Sequence, residues 1–142
     1  MAITQALCTS FKQELVTGVH DFTAGTGDTF KIALYSSTAT LGASTTQYTT
    51  NDEISGDGYT AGGATLTSVT PVISGSVAIC DFDDVTWTSA TFVTRGALIY
   101  NSSKSDKAVC VLDFGADKPV NTGDFSIIFP EPDSLNAIIR IS

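Results

Sequence analysis

The first apolar residues of the chain recur at helical spacing. Four large apolar side chains lie four positions apart, with polar residues between them: Ile3, Leu7, Phe11 and Leu15. This spacing predicts an amphipathic helix over about residues 5–17, with Thr4 as its N-cap and Gly18 just beyond its end. The apolar stripe needs a cover, so we expect the helix to pack as a lid on a sheet; docking onto a partner is the alternative.

From residue 29 onward the pattern changes to short segments typical of β-strands. Apolar and polar positions alternate most regularly in residues 29–36. Further candidate strands, separated by turn residues, are 64–69, 77–82, 85–87, 92–94, 125–129 and 135–141. The sequence therefore predicts a mainly β protein: an antiparallel β-sandwich or jelly roll of about eight strands, with one N-terminal α-helix.

Two apolar runs, 96–100 and 108–114, flank a polar segment and predict a hairpin centred on Lys104. A symmetric register would place Leu98 opposite Cys110 and Arg95 opposite Asp113. Apolar residues would then lie on both faces of the pair. We therefore expect this hairpin to be central, covered by a second sheet on one side and by the N-terminal helix on the other.

Residues 37–63 form the longest stretch without a clear pattern. Its large apolar residues are few: Leu41, Tyr48, Ile54 and Tyr59. A loop of this length in a domain is usually functional or carries short strands of its own, and we expect a functional loop with a strand near 47–50.

Length and charge indicate a single-domain protein that does not bind nucleic acid. With 142 residues and 42% hydrophobic content, the chain is long enough for a single domain, residues 1–142, with a proper core. The net charge is −8, and the seven basic residues are scattered, so we expect no nucleic-acid partner. The N-terminus lacks the pattern of a signal peptide and no apolar run is long enough to span a bilayer; we expect a protein made in the cytoplasm without a membrane partner.

The side chains that carry chemistry do not form a recognisable catalytic set. The one histidine, His20, precedes Asp21, but neighbouring side chains in an extended segment point apart, so a turn or surface histidine is expected. Residues 51–58 are rich in Asp and Gly, which favours turns over a divalent-ion site. The three cysteines are expected to be buried thiols, with a contact between Cys80 and Cys110 as the alternative. We predict no enzyme activity, no catalytic residues, no metal and no cofactor.

Three motifs together resemble a known family. KIALY at 31–35, SGDGYTAGG at 55–63 and GALIYN at 96–101, with the segments around them, are similar to small virion structural proteins of tailed bacteriophages over most of the chain. The resemblance implies a non-enzymatic protein of the virion, on the capsid surface, without catalytic residues or cofactors. Small β-sandwich proteins of this size commonly decorate or cement capsids. The expected function is therefore a decoration protein that bridges neighbouring major capsid proteins; the alternative is a tail or head-fibre module that binds host glycan or protein.

A decoration protein needs contact surfaces, and two segments are candidates. Homo-oligomers on a lattice axis, dimers or trimers, are expected. The long loop and the helix are the predicted shell contacts. The loop is longer than a connector between two strands needs to be, and the helix has an apolar stripe. The candidate partner contacts are Leu41, Tyr48, Ile54 and Tyr59 in the loop, and Ile3, Leu7 and Phe11 in the helix.

Overall fold

A computed structural model of the protein describes residues 2–142. Within these residues, eight strands form two antiparallel sheets and one helix lies between the first two strands. The elements are β1 (Ala6–Leu7), α1 (Thr9–Val16), β2 (Phe30–Tyr35), β3 (Ala64–Thr65), β4 (Ser68–Ser74), β5 (Val77–Phe82), β6 (Val85–Asn101), β7 (Lys107–Ile127) and β8 (Ile139–Ile141). The large sheet has the order β1-β7-β6-β2-β3, and the small sheet the order β4-β5-β8. The mainly β, sandwich-like fold predicted from the sequence is confirmed.

The hairpin of β6 and β7 is the centre of the large sheet, and it is longer than predicted. Its tip pairs Asn101 with Lys107 and Tyr100 with Ala108, as a turn centred on Lys104 requires. An irregularity at Val109 then shifts the register by one residue, so Leu98 lies opposite Val111 and not Cys110. The predicted pairs beyond the tip are therefore wrong by one position.

The hairpin also continues where the sequence predicts a turn. Residues 115–124, rich in Gly, Asp and Pro, remain within β7 and pair with β6 through several register shifts. Among the described residues, β1 pairs with β7 only at Cys110 and Val111, which leaves this part of β7 as an edge where Pro119 is tolerated. Asp113 is paired with Gly96 and not with Arg95, but the Arg95 side chain still reaches two carboxylates, with 3.7 Å from Nε to Asp113 Oδ1 and 3.7 Å from Nη1 to Asp117 Oδ1.

The two faces of the large sheet are covered by different parts of the chain. Directly paired residues share a face of the sheet. The inner face carries Phe30, whose ring stacks on Phe22 at 4.3 Å between centroids and contacts Phe82 of β5 at 5.8 Å. Phe11 of α1 meets Phe22 at 6.0 Å. The small sheet and the helix therefore lie on the same face, contrary to the predicted arrangement.

The opposite, outer face is covered by residues 37–63, which we call the strap. On this face lie Tyr35, Ala33, Leu98 and Tyr100, and single bridges attach the strap to the protein beneath it. These bridges pair Leu41 with Ile3, Gln47 with Lys107, Glu53 with Tyr35, and Asp57 with Thr91. The strand predicted near 47–50 is only the bridge at Gln47. The strap therefore replaces the helix as the cover of the outer face.

The helix is shorter than predicted because β1 takes its first residues. It spans Thr9–Val16, its N-cap is Cys8 in place of Thr4, and Gly18 follows its end with φ +76°. Leu7 belongs to β1, and Ile3 packs its side chain over Gly96 on the outer face. The four regularly spaced apolar residues therefore do not belong to one helix. Ile3 lies before β1 and Leu7 within it, and Phe11 and Leu15 lie in α1. Within residues 2–142, no helix has both the length and the apolar character needed to cross a membrane.

Candidate functional surface

The carboxylate of Glu53 holds separate parts of the strap together. Tyr48 donates its hydroxyl proton to Oε1 at 2.6 Å, and Tyr59 donates to Oε2 at 2.5 Å. The backbone N–H of Gly62 also donates to Oε2, at 2.8 Å. Hydrogen bonds to a charged acceptor are stronger than those between neutral groups. A single carboxylate therefore joins three separate points of the strap.

The other two tyrosines of the chain extend this network into the sheet. Tyr35 of β2 donates to the carbonyl of Thr49 at 2.6 Å, and Tyr100 of β6 donates to the carbonyl of Gly62 at 2.6 Å. The rings of Tyr48 and Tyr100 are stacked, with 4.7 Å between centroids. All four tyrosines in the sequence thus hold the strap down.

Burial governs the ionisation of this cluster. It raises the pKa of all four tyrosines above the ordinary value, that of Tyr100 to about 12, because a phenolate would lose its hydration there. The nearby negative charge of Glu53 acts in the same direction on each of them. The tyrosines therefore remain neutral hydrogen-bond donors across the physiological pH range.

In the second half of the strap, the backbone at Gly63 lies directly against the backbone of β2 at Ile32. Gly63 has φ +82°, and an added Cβ there would lie 1.8 Å from the carbonyl oxygen of Ile32. Only glycine combines this dihedral angle with such contact. Tyr59 then packs against Trp87 at 6.3 Å and edge-on to Phe92 at 6.0 Å, over the outer end of β6. The SGDGYTAGG motif is thus a packing element.

The strap presents a hydroxyl-rich surface outward. The strap has three charged residues, Asp52, Glu53 and Asp57, and all three are acidic. The side chains of Asp52 and Asp57 are exposed. Several exposed strap residues carry hydroxyl groups, namely Ser37, Thr38, Ser44, Thr46, Ser55 and Thr60. This surface is broad, contains no basic residue, and is backed by the hydrogen bonds between Glu53 and the tyrosines. Such a surface suits protein recognition through shape and hydrogen bonds.

The seven candidate partner contacts do not form this surface. Four of them, Ile3, Phe11, Leu41 and Ile54, are buried within the core of the chain. The other three, Leu7, Tyr48 and Tyr59, are half-buried and pack against that core. Their apolar side chains are covered by the chain itself, which corrects the interpretation that they face a partner. The exposed hydroxyl residues between them give no distinctive sequence pattern, and sequence reasoning missed them.

His20 lies between α1 and β2, where a turn or surface histidine is expected, but its side chain is buried and structural and is not at the surface. Its side chain has no exposed area, and Nε2 lies 2.9 Å from Glu14 Oε1. Nδ1 lies 2.9 Å from the amide nitrogen of Asn101, which can only donate, so the proton of the neutral ring resides on Nε2. Asn101 also donates to Asp28 at 2.8 Å. The network ties α1 and the loop before β2 to the tip of the central hairpin.

The acidic groups are arranged without a metal centre in the described part of the chain. Within residues 2–142 no group of three or more His, Cys, Asp or Glu side chains is placed to hold a metal ion. In the 51–58 segment, Asp52 accepts a hydrogen bond from Thr38 at 2.7 Å, and Glu53 binds the tyrosines. A cleft of about 260 Å³ is lined by Asp81, Asp83, Asp84 and Glu131. Burial, with repulsion from these neighbours, raises the pKa of Asp81.

The three cysteines are free thiols, and only that of Cys8 touches the strap, where it donates to the carbonyl of Gly42 at 3.9 Å. Cys80 lies in the small sheet and Cys110 in the large one, and burial raises their pKa values to about 11 and about 12. The neighbouring thiol of Cys8 also raises the pKa of Cys110. Burial in turn raises the pKa of Cys8 to about 11. A thiol with such a raised pKa is a poor nucleophile at neutral pH.

Comparison of the chain with protein-family models, curated proteins and solved structures finds no match. The function must therefore be inferred from the geometry described above and from the resemblance of the sequence motifs.

Proposed function

We propose that this chain is a non-enzymatic structural protein of a bacteriophage virion, which decorates the capsid and bridges neighbouring major capsid proteins. The observation that carries the proposal is the strap: 27 residues, 37–63, bonded over one face of the large sheet and exposing a hydroxyl-rich surface without basic residues. A surface ordered before binding loses little conformational entropy when it docks on a lattice. The phage-like motifs KIALY, SGDGYTAGG and GALIYN all contribute residues to the cluster beneath the strap, namely Tyr35, Tyr59, Gly62 and Tyr100.

The geometry gives the glycan-binding alternative less support. A sugar platform needs exposed aromatic faces, whereas Tyr35, Trp87 and Tyr100 are buried, and Tyr48 and Tyr59 are half-buried in the strap network. Cryo-electron microscopy of the virion separates the two roles. Hundreds of copies ordered on the shell support decoration, and a few copies confined to the tail or fibres contradict it.

The contact surface is tested with charge substitutions on the strap. We expect the double variant Ser44→Arg with Thr60→Arg to lose at least about tenfold in affinity for capsids lacking the protein, measured by co-sedimentation, because two long side chains would separate surfaces that fit by shape and would bury unpaired charge. Both positions are exposed, so the fold is retained.

A matched control adds the same charge elsewhere. Thr26→Arg with Thr67→Arg changes two exposed threonines outside the strap and is expected to bind like the unmodified chain. Equal binding by the two double variants would show that the strap is not the contact. Deletion of the strap is unsuitable, because it would uncover the outer face of the large sheet.

A further inference from the structure

The buried histidine joins segments that are distant in the chain. His20 lies between α1 and β2, its partner Glu14 lies in α1, and its partner Asn101 ends β6. Neither the His20 side chain nor Asn101 has any exposed area. Aromatic rings enclose the imidazole, with 5.0 Å between its centroid and that of Phe11 and 6.3 Å to that of Phe30. A charge on this ring would therefore lose its hydration.

Asn101 presents only hydrogen-bond donors to the histidine and to the carboxylate beside it. Its amide nitrogen donates one N–H to Nδ1 of His20 at 2.9 Å and the other to Oδ2 of Asp28 at 2.8 Å. Its amide oxygen accepts from the backbone N–H of Ser103 at 3.0 Å. Both N–H groups and the oxygen of the amide thus have partners, and the three bonds fix its orientation. In this arrangement Nδ1 of His20 carries no proton.

Rotation of the amide cannot accommodate a proton on Nδ1. A half-turn of the Asn101 amide would bring its oxygen to Nδ1, but the same oxygen would then face the Asp28 carboxylate. The turn would also place an amide N–H against the N–H of Ser103. One hydrogen bond would be gained and two lost, with like partial charges in contact where they had been. Asp28 is itself held in place, since its Oδ2 also accepts the backbone N–H of Asp21 at 3.0 Å.

The charged groups around the ring offset one another. Glu14 Oε1 lies 2.9 Å from Nε2 of His20 and attracts a positive ring, but Lys107 Nζ lies 3.7 Å from the other oxygen of Glu14. On the far side of the amide, Lys104 Nζ lies 3.9 Å from Oδ1 of Asp28. Two carboxylates and two ammonium groups sum to zero charge. The desolvation of the ring and the donor conflict at Nδ1 therefore oppose its protonation.

We propose that His20 is an acid-sensitive switch: protonation of Nδ1 breaks its bond to Asn101 and loosens residues 18–22 and the end of α1 from the tip of the central hairpin. Histidine in an unfolded chain titrates at about pH 6.5, so the switch operates in mildly acidic solution. Below that pH the opened chain takes up a proton that the closed network does not hold, and stability falls as pH falls. The switch is independent of the strap and of the capsid role proposed above.

Urea denaturation at pH 7.5 and pH 5.5 tests the switch in the full chain. Uptake of one proton by the unfolded histidine raises the unfolding equilibrium constant about tenfold between these two pH values. His20→Gln is the matched variant, because glutamine offers Glu14 a donor and Asn101 an acceptor but does not take up a proton. Carboxylates titrate in both chains alike. We therefore expect the rise to be about ten times larger in the unmodified chain than in the variant, and an equal rise in both would overturn the proposal.

Hydrogen exchange locates the opening. The amide of Val19 donates to the carbonyl of Glu14, and that of Asp21 donates to Asp28. Between pH 7.5 and pH 5.5 both amides should lose protection in the unmodified chain and keep it in the variant. The amide of Ile54, bonded to β2 from the strap, is the internal reference and should behave alike in the two chains. Equal protection of Val19 and Asp21 in the two chains at pH 5.5 would contradict the switch.

Nuclear magnetic resonance of the unmodified chain gives a test that does not depend on the folding of a variant. The sequence contains one histidine, so the imidazole resonances belong to His20. We expect the signal of the charged ring to appear together with a change in the side-chain amide signals of Asn101. A ring that titrates near pH 6.5 while those amide signals stay unchanged would overturn the proposal.

Discussion

Gly63 shows how strictly one residue can fix the position of the strap. Replacing it with alanine imposes a left-handed backbone on a residue with a Cβ and drives that atom into the Ile32 carbonyl. We expect Gly63→Ala to lower the free energy of unfolding by about 3 kcal/mol or more, measured by urea denaturation. Gly75→Ala is the control: Gly75 also has positive φ, +64°, but an added Cβ meets nothing within 4 Å. Its expected cost is roughly 1–2 kcal/mol. Equal losses would mean that the close approach to Ile32 is unimportant.

At the scale of elements, the strap depends on Glu53. Glu53→Gln leaves one acceptor oxygen where the carboxylate serves Tyr48, Tyr59 and Gly62, so at least one donor loses its partner. We expect a loss of about 2 kcal/mol in the free energy of unfolding and faster hydrogen exchange within the strap. The neighbouring change Asp52→Asn keeps an acceptor for Thr38 and should cost less than about 0.5 kcal/mol. Unchanged exchange at Gly62 in the Glu53 variant would contradict the assigned role.

The elements also show what the sequence could predict. β2 and β5 follow directly from local pattern, because each is a short strand bounded by turn residues. The helix boundary could not be predicted, since Ile3 and Leu7 fit helical spacing but pair with Leu41 and Cys110. Such pairing partners are distant in the chain and leave no local signal.

The strap was predicted as a segment but not as a cover. The sequence predicts large residues such as Tyr48 and Tyr59 as partner contacts, because spacing alone does not reveal that Glu53 accepts their hydrogen bonds. A buried network of side chains depends on how distant backbone segments meet. The sequence pattern therefore predicted the fold class and not the surface that the strap exposes.

At the scale of the whole molecule, the tyrosine network makes stability dependent on alkaline pH. The pKa of each tyrosine is raised on folding, so the stability it contributes is fully present below pH 10, the ordinary value for tyrosine, and is lost as pH rises through the folded value, about 12 for Tyr100. We expect tyrosinate absorbance at 295 nm to rise together with the loss of β-structure by circular dichroism, within roughly pH 10–12. In denaturant the same residues should titrate near pH 10. Titration of all four near pH 10 in the folded chain would contradict the network.

The hairpin of β6 and β7 also implies an order of folding. Its strands are joined by only five residues, 102–106, so they meet quickly and without help from the rest of the chain. The strap needs Tyr35 and Tyr100 to be adjacent already, and these two residues lie more than sixty positions apart in the chain. We therefore expect the exposed strap surface to be assembled last, on a β-framework that is already in place.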